Sequence, residues 1–146
     1  MTVFLFLYLG ALYLSDYTKD VSMVTIESYM TSHTSITSLK KRERRDLSRY
    51  FSIEEESTDG YLFYKDVSPM SVNEILIVRA RSRNQASDFL RAAEDHKASQ
   101  ENVFGSYGTD QMALLGDAFV ESKGNYVCYI CGPDAAAWHD AFISLI

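Results

Sequence analysis

The sequence predicts an α+β domain: a four-stranded, mostly antiparallel sheet in a (ββα)2-like arrangement, preceded by N-terminal helices. Three observations carry this. The runs 74–81 and 126–131 are short and apolar at nearly consecutive positions, as strands covered on both faces are. Each comes after a more polar, strand-like segment. Each precedes a stretch with apolar residues at helical spacing, so the order strand–strand–helix occurs twice. The chain has 146 residues, which fits one domain, since domains run ~100–200 residues.

Val3 to Leu14 is uncharged, and the first charged side chain is Asp16. A bilayer span takes roughly 20 apolar residues, with ~17 near the minimum, so the run is short by several. It has neither a period of 2 nor of 3.6, which suits lipid all round better than a one-sided core. No basic residue precedes Val3 as in a secretory signal, no small-x-small site stands after Leu14, and no cysteine is there for lipidation. Residues 1–15 are therefore expected to be the outer part of a signal anchor whose start lies upstream. A short membrane-associated helix and a buried element of the domain itself are the alternatives.

Residues 16–38 read as a linker with a short helix, capped by Ser22 and lined by Met23, Ile26 and Met30. The α+β domain is expected over 39–146. Leu39 to Phe51 is helix-like, with Leu47, Tyr50 and Phe51 on one stripe, and Glu54 to Gly60 is loop. Tyr61 to Asp66 alternates as a strand, and Pro69 and Ser71 punctuate the connection to the next. Ser82 and Gln85, in capping-box register, open a helix lined by Ala86, Phe89, Leu90 and Ala93. Ala118 to Ser122 is a weaker strand and Lys123-Gly124-Asn125 a turn. Pro133 opens the last helix, with Ala135, Trp138, Ala141, Phe142 and Leu145 at helical spacing. The second and fourth strands are expected to be central. The helices near 84–98 and 134–145 are expected to cover one face, and those before residue 52 part of the other.

Three segments stand out in combination. They are the strand Asn73-Glu74-Ile75-Leu76-Ile77 with its helix, then Phe104…Tyr107-Gly108-Thr109-Asp110-Gln111-Met112…Leu115, then Lys123-Gly124-Asn125-Tyr126-Val127. Through them the chain, from about Leu39 to its C-terminus, resembles the bacterial family known as domain of unknown function 4358. Thr109 departs from the pattern, where Pro is expected, and the lipidation motif of many relatives is missing. The resemblance implies an extracytoplasmic protein of a Gram-positive bacterium, N-terminally anchored or lipoprotein-like. It implies no activity.

The net charge of −6 argues against a nucleic-acid partner for the domain as a whole. The stretch from Lys40 to Arg49 nevertheless holds six basic and two acidic residues. A solvated helix face is one reading. Contact of Lys40, Lys41, Arg42, Arg44 and Arg45 with anionic headgroups or an envelope polymer is the other. Cys128 and Cys131 have redox or zinc spacing, yet i and i+3 on a strand point to opposite faces, so two core cysteines are expected and no metal. His33, His96 and His139 are read as exposed or partly buried helix residues, since no two stand at i, i+4. No nucleophile elbow or phosphate loop occurs, and no cofactor is implied. The glycine-flanked segment 104–111 reads as a loop, in which Tyr107 and Gln111 are candidate binding residues; a structural turn with Tyr107 in the core is the alternative.

The sequence therefore points to a membrane-anchored extracytoplasmic module of the bacterial cell envelope, acting by binding rather than catalysis, on an envelope polymer or a protein. A hydrolase of envelope polymers and a structural component of a membrane complex are the competing readings. Two converging carboxylates, one with a raised pKa, would favour the hydrolase.

Overall fold

A computed structural model describes residues 3, 5, 18–106 and 108–146. Most of the expected anchor, and Tyr107, lie outside the described residues. Ser22 caps α1 (Met23–His33) by accepting the Thr25 N–H at 3.2 Å. Met23, Ile26 and Met30 then fall on one stripe and are buried, and the turn Ser35–Ser38 buries Ile36. Residues 22–38 are thus part of the packed fold.

After Leu39 the chain does not enter a helix directly. It forms a two-residue strand, β1 (Lys40–Lys41), and then α2 (Arg44–Phe51). Lysines suit such a position, because a charged edge resists pairing with a further strand. The sheet therefore has five strands rather than the expected four. The remaining elements are β2 (Tyr61–Lys65), β3 (Glu74–Arg79), α3 (Arg83–Phe104), α4 (Thr109–Gly116), β4 (Phe119–Lys123), β5 (Tyr126–Cys131) and α5 (Ala135–Ile143). The strand order is β1-β2-β3-β5-β4, and every neighbouring pair is antiparallel. β3 and β5, the two apolar runs, both lie inside the sheet.

Helices cover both faces. Phe63, Leu76, Val78, Val127, Tyr129 and Cys131 pack against α2, α3 and α4. Leu62, Ile75, Ile77, Tyr126, Cys128 and Ile130 pack against α1 and α5. The helices after β3 and β5 therefore lie on opposite faces, not on one, and the two strand–strand–helix units are not equivalent. The physical reason is that β3 and β5 are apolar on both sides, so their pattern does not say which side the next helix must cover. The expected loop over 104–111 is shorter than the sequence suggests: Thr109–Gly116 is helical, and Leu115 is buried against the α3 side.

Cys128 and Cys131 sit on opposite faces, both buried and free. Burial pushes each thiol up to about 12, reinforced by the Glu121 charge at Cys128 and the Glu74 charge at Cys131. Neither is a thiolate at neutral pH. Iodoacetamide should leave both unmodified in the native protein and label both after unfolding, and a peptide mass short of two hydrogens would contradict this arrangement.

Candidate functional site

The chain arrives at the domain at one end of the sheet. Tyr126 OH donates to Val21 O at 2.6 Å and accepts the Val21 N–H at 3.0 Å, while Arg79 pairs with Asp20. Gly124, at φ +61, permits the close approach of Thr18, whose Oγ1 would lie 2.5 Å from a Cβ placed there. From this clamp α1 runs to the opposite end, where Ser35 Oγ donates to Asp134 at 2.7 Å, just beyond the far end of β5. β1 pairs at that far end, Lys40 opposite Lys65.

The basic residues spread over β1 and α2, and the structure gives them different roles. Arg42 is half-buried and serves the fold, donating to Asp66 O at 3.1 Å and reaching Asp46 at 3.5 Å. Lys41 pairs with Glu27 at 2.7 Å. Arg44 and Arg45 both border a recess with Ser48, Glu54 and Glu56. Lys40, Lys41, Arg45 and Arg49, with Glu43 and Asp46, line a shallow groove of about 340 Å³. Among the described residues Lys40, Arg45 and Arg49 form no ion pair, and Arg49 lies over the Tyr50 ring at 5.5 Å. Arg49 is not among the sequence candidates; its signal is the spacing of four from Arg45, which places both on one helix face.

Gln111 stands in the first turn of α4 and holds the β2–β3 connection: its Oε1 accepts the Val72 N–H at 2.9 Å. It also lines a recess of about 350 Å³ with Met70, Phe104, Gly108, Thr109 and Asp110. Its carboxamide nitrogen has no partner among the described residues.

The most concentrated polar chemistry lies in the core. Glu74 is fully buried on the α3 face of β3. Lys65 Nζ, opposite it on β2, donates to Glu74 Oε2 at 2.7 Å, and His96 Nε2 of α3 bonds Glu74 Oε1. His96 is buried, not exposed or partly buried as the sequence implied, because its flanking Glu94 and Asp95 face outward while it turns onto Phe51 and Tyr129. Burial alone would raise the Glu74 pKa; the His96 hydrogen bond, the charges of His96 and Lys65, and the Lys65 hydrogen bond overcome this and hold it below the usual carboxylate range. Asp66 is also lowered, chiefly by the Ser68 backbone hydrogen bond. Both shifts run opposite to the raised pKa of a hydrolytic acid. Beside the cluster, the Tyr129 hydroxyl is buried with no partner among the described residues; burial, then the Glu74 charge, raises its pKa.

His33 is exposed and bonds Tyr29 O at 3.0 Å. His139 faces Glu121 at 2.5 Å and stacks on Phe119. Neither joins the core cluster or the groove.

Fold and site together define a three-layer domain: an antiparallel sheet between two helical layers, with a buried Lys–Glu–His cluster and a basic edge. The chain belongs to the family described as domain of unknown function (DUF4358), whose model matches residues 32–132. No curated protein and no solved structure matches it.

The core cluster gives a pH signature. A lowered Glu74 contributes stability that is present above the ordinary carboxylate pKa and is lost as pH falls through its folded value. Glu74→Gln leaves Lys65 buried without its counter-charge and should cost about 3–5 kcal/mol at neutral pH. Urea melts between pH 7 and pH 3 should show the gap between wild type and variant narrowing toward low pH. A gap constant with pH would remove the charged role of Glu74.

Proposed function

We propose that this protein is a membrane-tethered module of the bacterial cell envelope, holding its folded domain on the extracytoplasmic side and working by binding. The observation that carries the tether is the uncharged run from Val3 to Leu14. Val3 and Leu5, the two residues of that run that are described, are helical and exposed at 68% and 55%, where a core element would be buried. Among the described residues no helix is long and apolar enough to cross a membrane. Six residues, Ser15 to Asp20, separate the run from the clamp at Val21. They span at most ~20 Å even when fully extended, so the domain rides close to the surface that holds it. Lys19 is the only Lys or Arg in the twenty residues after Ser15. That is the composition of a segment on the outer side, because cytoplasmic flanks are enriched in Lys and Arg. The family match is consistent with this reading but carries no activity of its own.

The full chain and a chain lacking residues 1–15 should separate on fractionation. The full chain should sediment with membranes and be released by detergent but not by high salt, and the shorter one should stay in the supernatant. Protease added to intact cells should degrade the domain. A full chain that is soluble and monomeric without detergent overturns the tether, and protection from protease in intact cells overturns the placement.

A further inference from the structure

We propose that the groove between β1 and α2 binds a linear, phosphate-bearing polyanion presented from the side away from the tether. The direction rests on the tethered reading above; the chemistry of the groove does not. Residues 40–49 carry a net charge of +4, which leaves −10 on the rest of the chain. Six of the 14 Lys and Arg residues stand in this stretch, which makes it a net-positive segment of an acidic molecule. An extended, rigid duplex lying across the domain would meet the acidic remainder, whereas a flexible polymer can track the groove alone.

The side chains fit phosphate. Arg45 and Arg49 stand one helical turn apart on the exposed face of α2, and Lys40 lines the groove with them, beside Lys41, whose ammonium pairs with Glu27. Guanidinium groups grip phosphate oxygens through two parallel N–H bonds, and lysines add mobile point charges. Lys40, Arg45 and Arg49 form no ion pair among the described residues; of the two carboxylates that share the groove, Asp46 is met by Arg42, and the exposed Glu43 is outnumbered by the four cations that line it. The groove is half-open to solvent and lined by charged side chains, which suits one stretch of a long charged ligand.

The clamp at Val21 sets the direction. α1 has 11 residues and carries the chain from that clamp toward the end of the sheet where β1 lies. That separation is ~16 Å, about two Debye lengths at physiological salt. The potential of the anchoring bilayer is then largely screened at the groove. The fitting occupant is a polymer arriving from outside, not the headgroups beneath.

The test uses the full chain in nanodiscs of phosphatidylcholine, titrated with long-chain polyphosphate. Affinity should fall steeply with salt. The triple reversal Lys40→Glu/Arg45→Glu/Arg49→Glu should weaken binding roughly tenfold or more and reduce the log–log salt slope by about 2–3. Arg91→Glu, an exposed reversal on α3, should leave binding unchanged, and circular dichroism should show both variants folded. Replacing a third of the disc lipid with phosphatidylglycerol should not compete. Three results would each overturn the proposal: no binding at low salt, equal losses from Arg91→Glu and the triple variant, or tighter binding to duplex DNA than to polyphosphate. Competition by the anionic disc would reassign the groove to the bilayer. Failure of the tether itself appears only in the fractionation; the chain would then be titrated without discs, and the readout at the groove is the same.

Discussion

The charge on Glu74 has to be answered from within the protein, and much of the fold depends on how it is answered. A lone carboxylate taken out of water costs several kcal/mol even after relaxation. Here Lys65 answers it from the neighbouring strand and His96 from the helix above. The pair Lys65 and Glu74 stands directly opposite in the β2–β3 ladder, so a slip of one residue would turn Glu74 onto the α1–α5 face among Leu62, Ile75 and Ile77. The same carboxylate fixes how α3 is rotated, because His96 must point at it while Ala86, Phe89 and Ala93 meet the sheet. Phe51 at the end of α2 packs on His96, which ties α2 to the same point. Helices and strands far apart in sequence thus converge on one charge.

This cluster also explains what is and is not legible in the sequence. β3 and β5 are legible because strands buried on both sides are apolar without interruption. That same lack of alternation hides which face each succeeding helix covers, so the pattern puts α3 and α5 together when they lie apart. Glu74 opens its strand and looks like a solvated end; His96 comes after Glu94 and Asp95 and looks like part of a wet helix face. Nothing local marks either as buried, since their partnership exists only once α3 is laid on the sheet. The phase of Cys128 and Cys131 is readable because a strand's period of two is local geometry. β1 is not, because two residues carry no period. Its one hint is a pair of lysines before a helix, which is how short edge strands are often written.

The candidate binding residues divide by the same logic. Gln111 stands out for its polar side chain near glycines, and it does line a recess, but its oxygen is taken by the Val72 N–H. Arg42 is one of a basic run, and it is drawn into the fold by Asp66 and Asp46. A run of like charges cannot say which members have partners elsewhere in the chain. Once Arg42 and Lys41 are assigned to their partners, the cations of that run without an ion pair among the described residues are Lys40, Arg44, Arg45 and Arg49, and of these Lys40, Arg45 and Arg49 line the groove. The groove is defined by what the fold leaves uncommitted.

The family boundary is not a folding boundary. The match over residues 32–132 covers the sheet and the α2–α4 layer, with both the core cluster and the basic groove inside it. α5 and all but the last two residues of α1 lie outside. Yet Met23, Ile26 and Met30 from α1, and Trp138 and Phe142 from α5, are what cover Leu62, Ile75, Ile77, Cys128 and Ile130. A fragment cut at the matched residues would keep Ile36, Leu39 and Phe119 on that face but expose most of it to water. The layer that completes the core is therefore the layer that carries the chain toward its apolar N-terminal run. Because α1 is packed along its length, the clamp at Val21 and the far end of the sheet, where β1 pairs, are held at a fixed separation by the core itself.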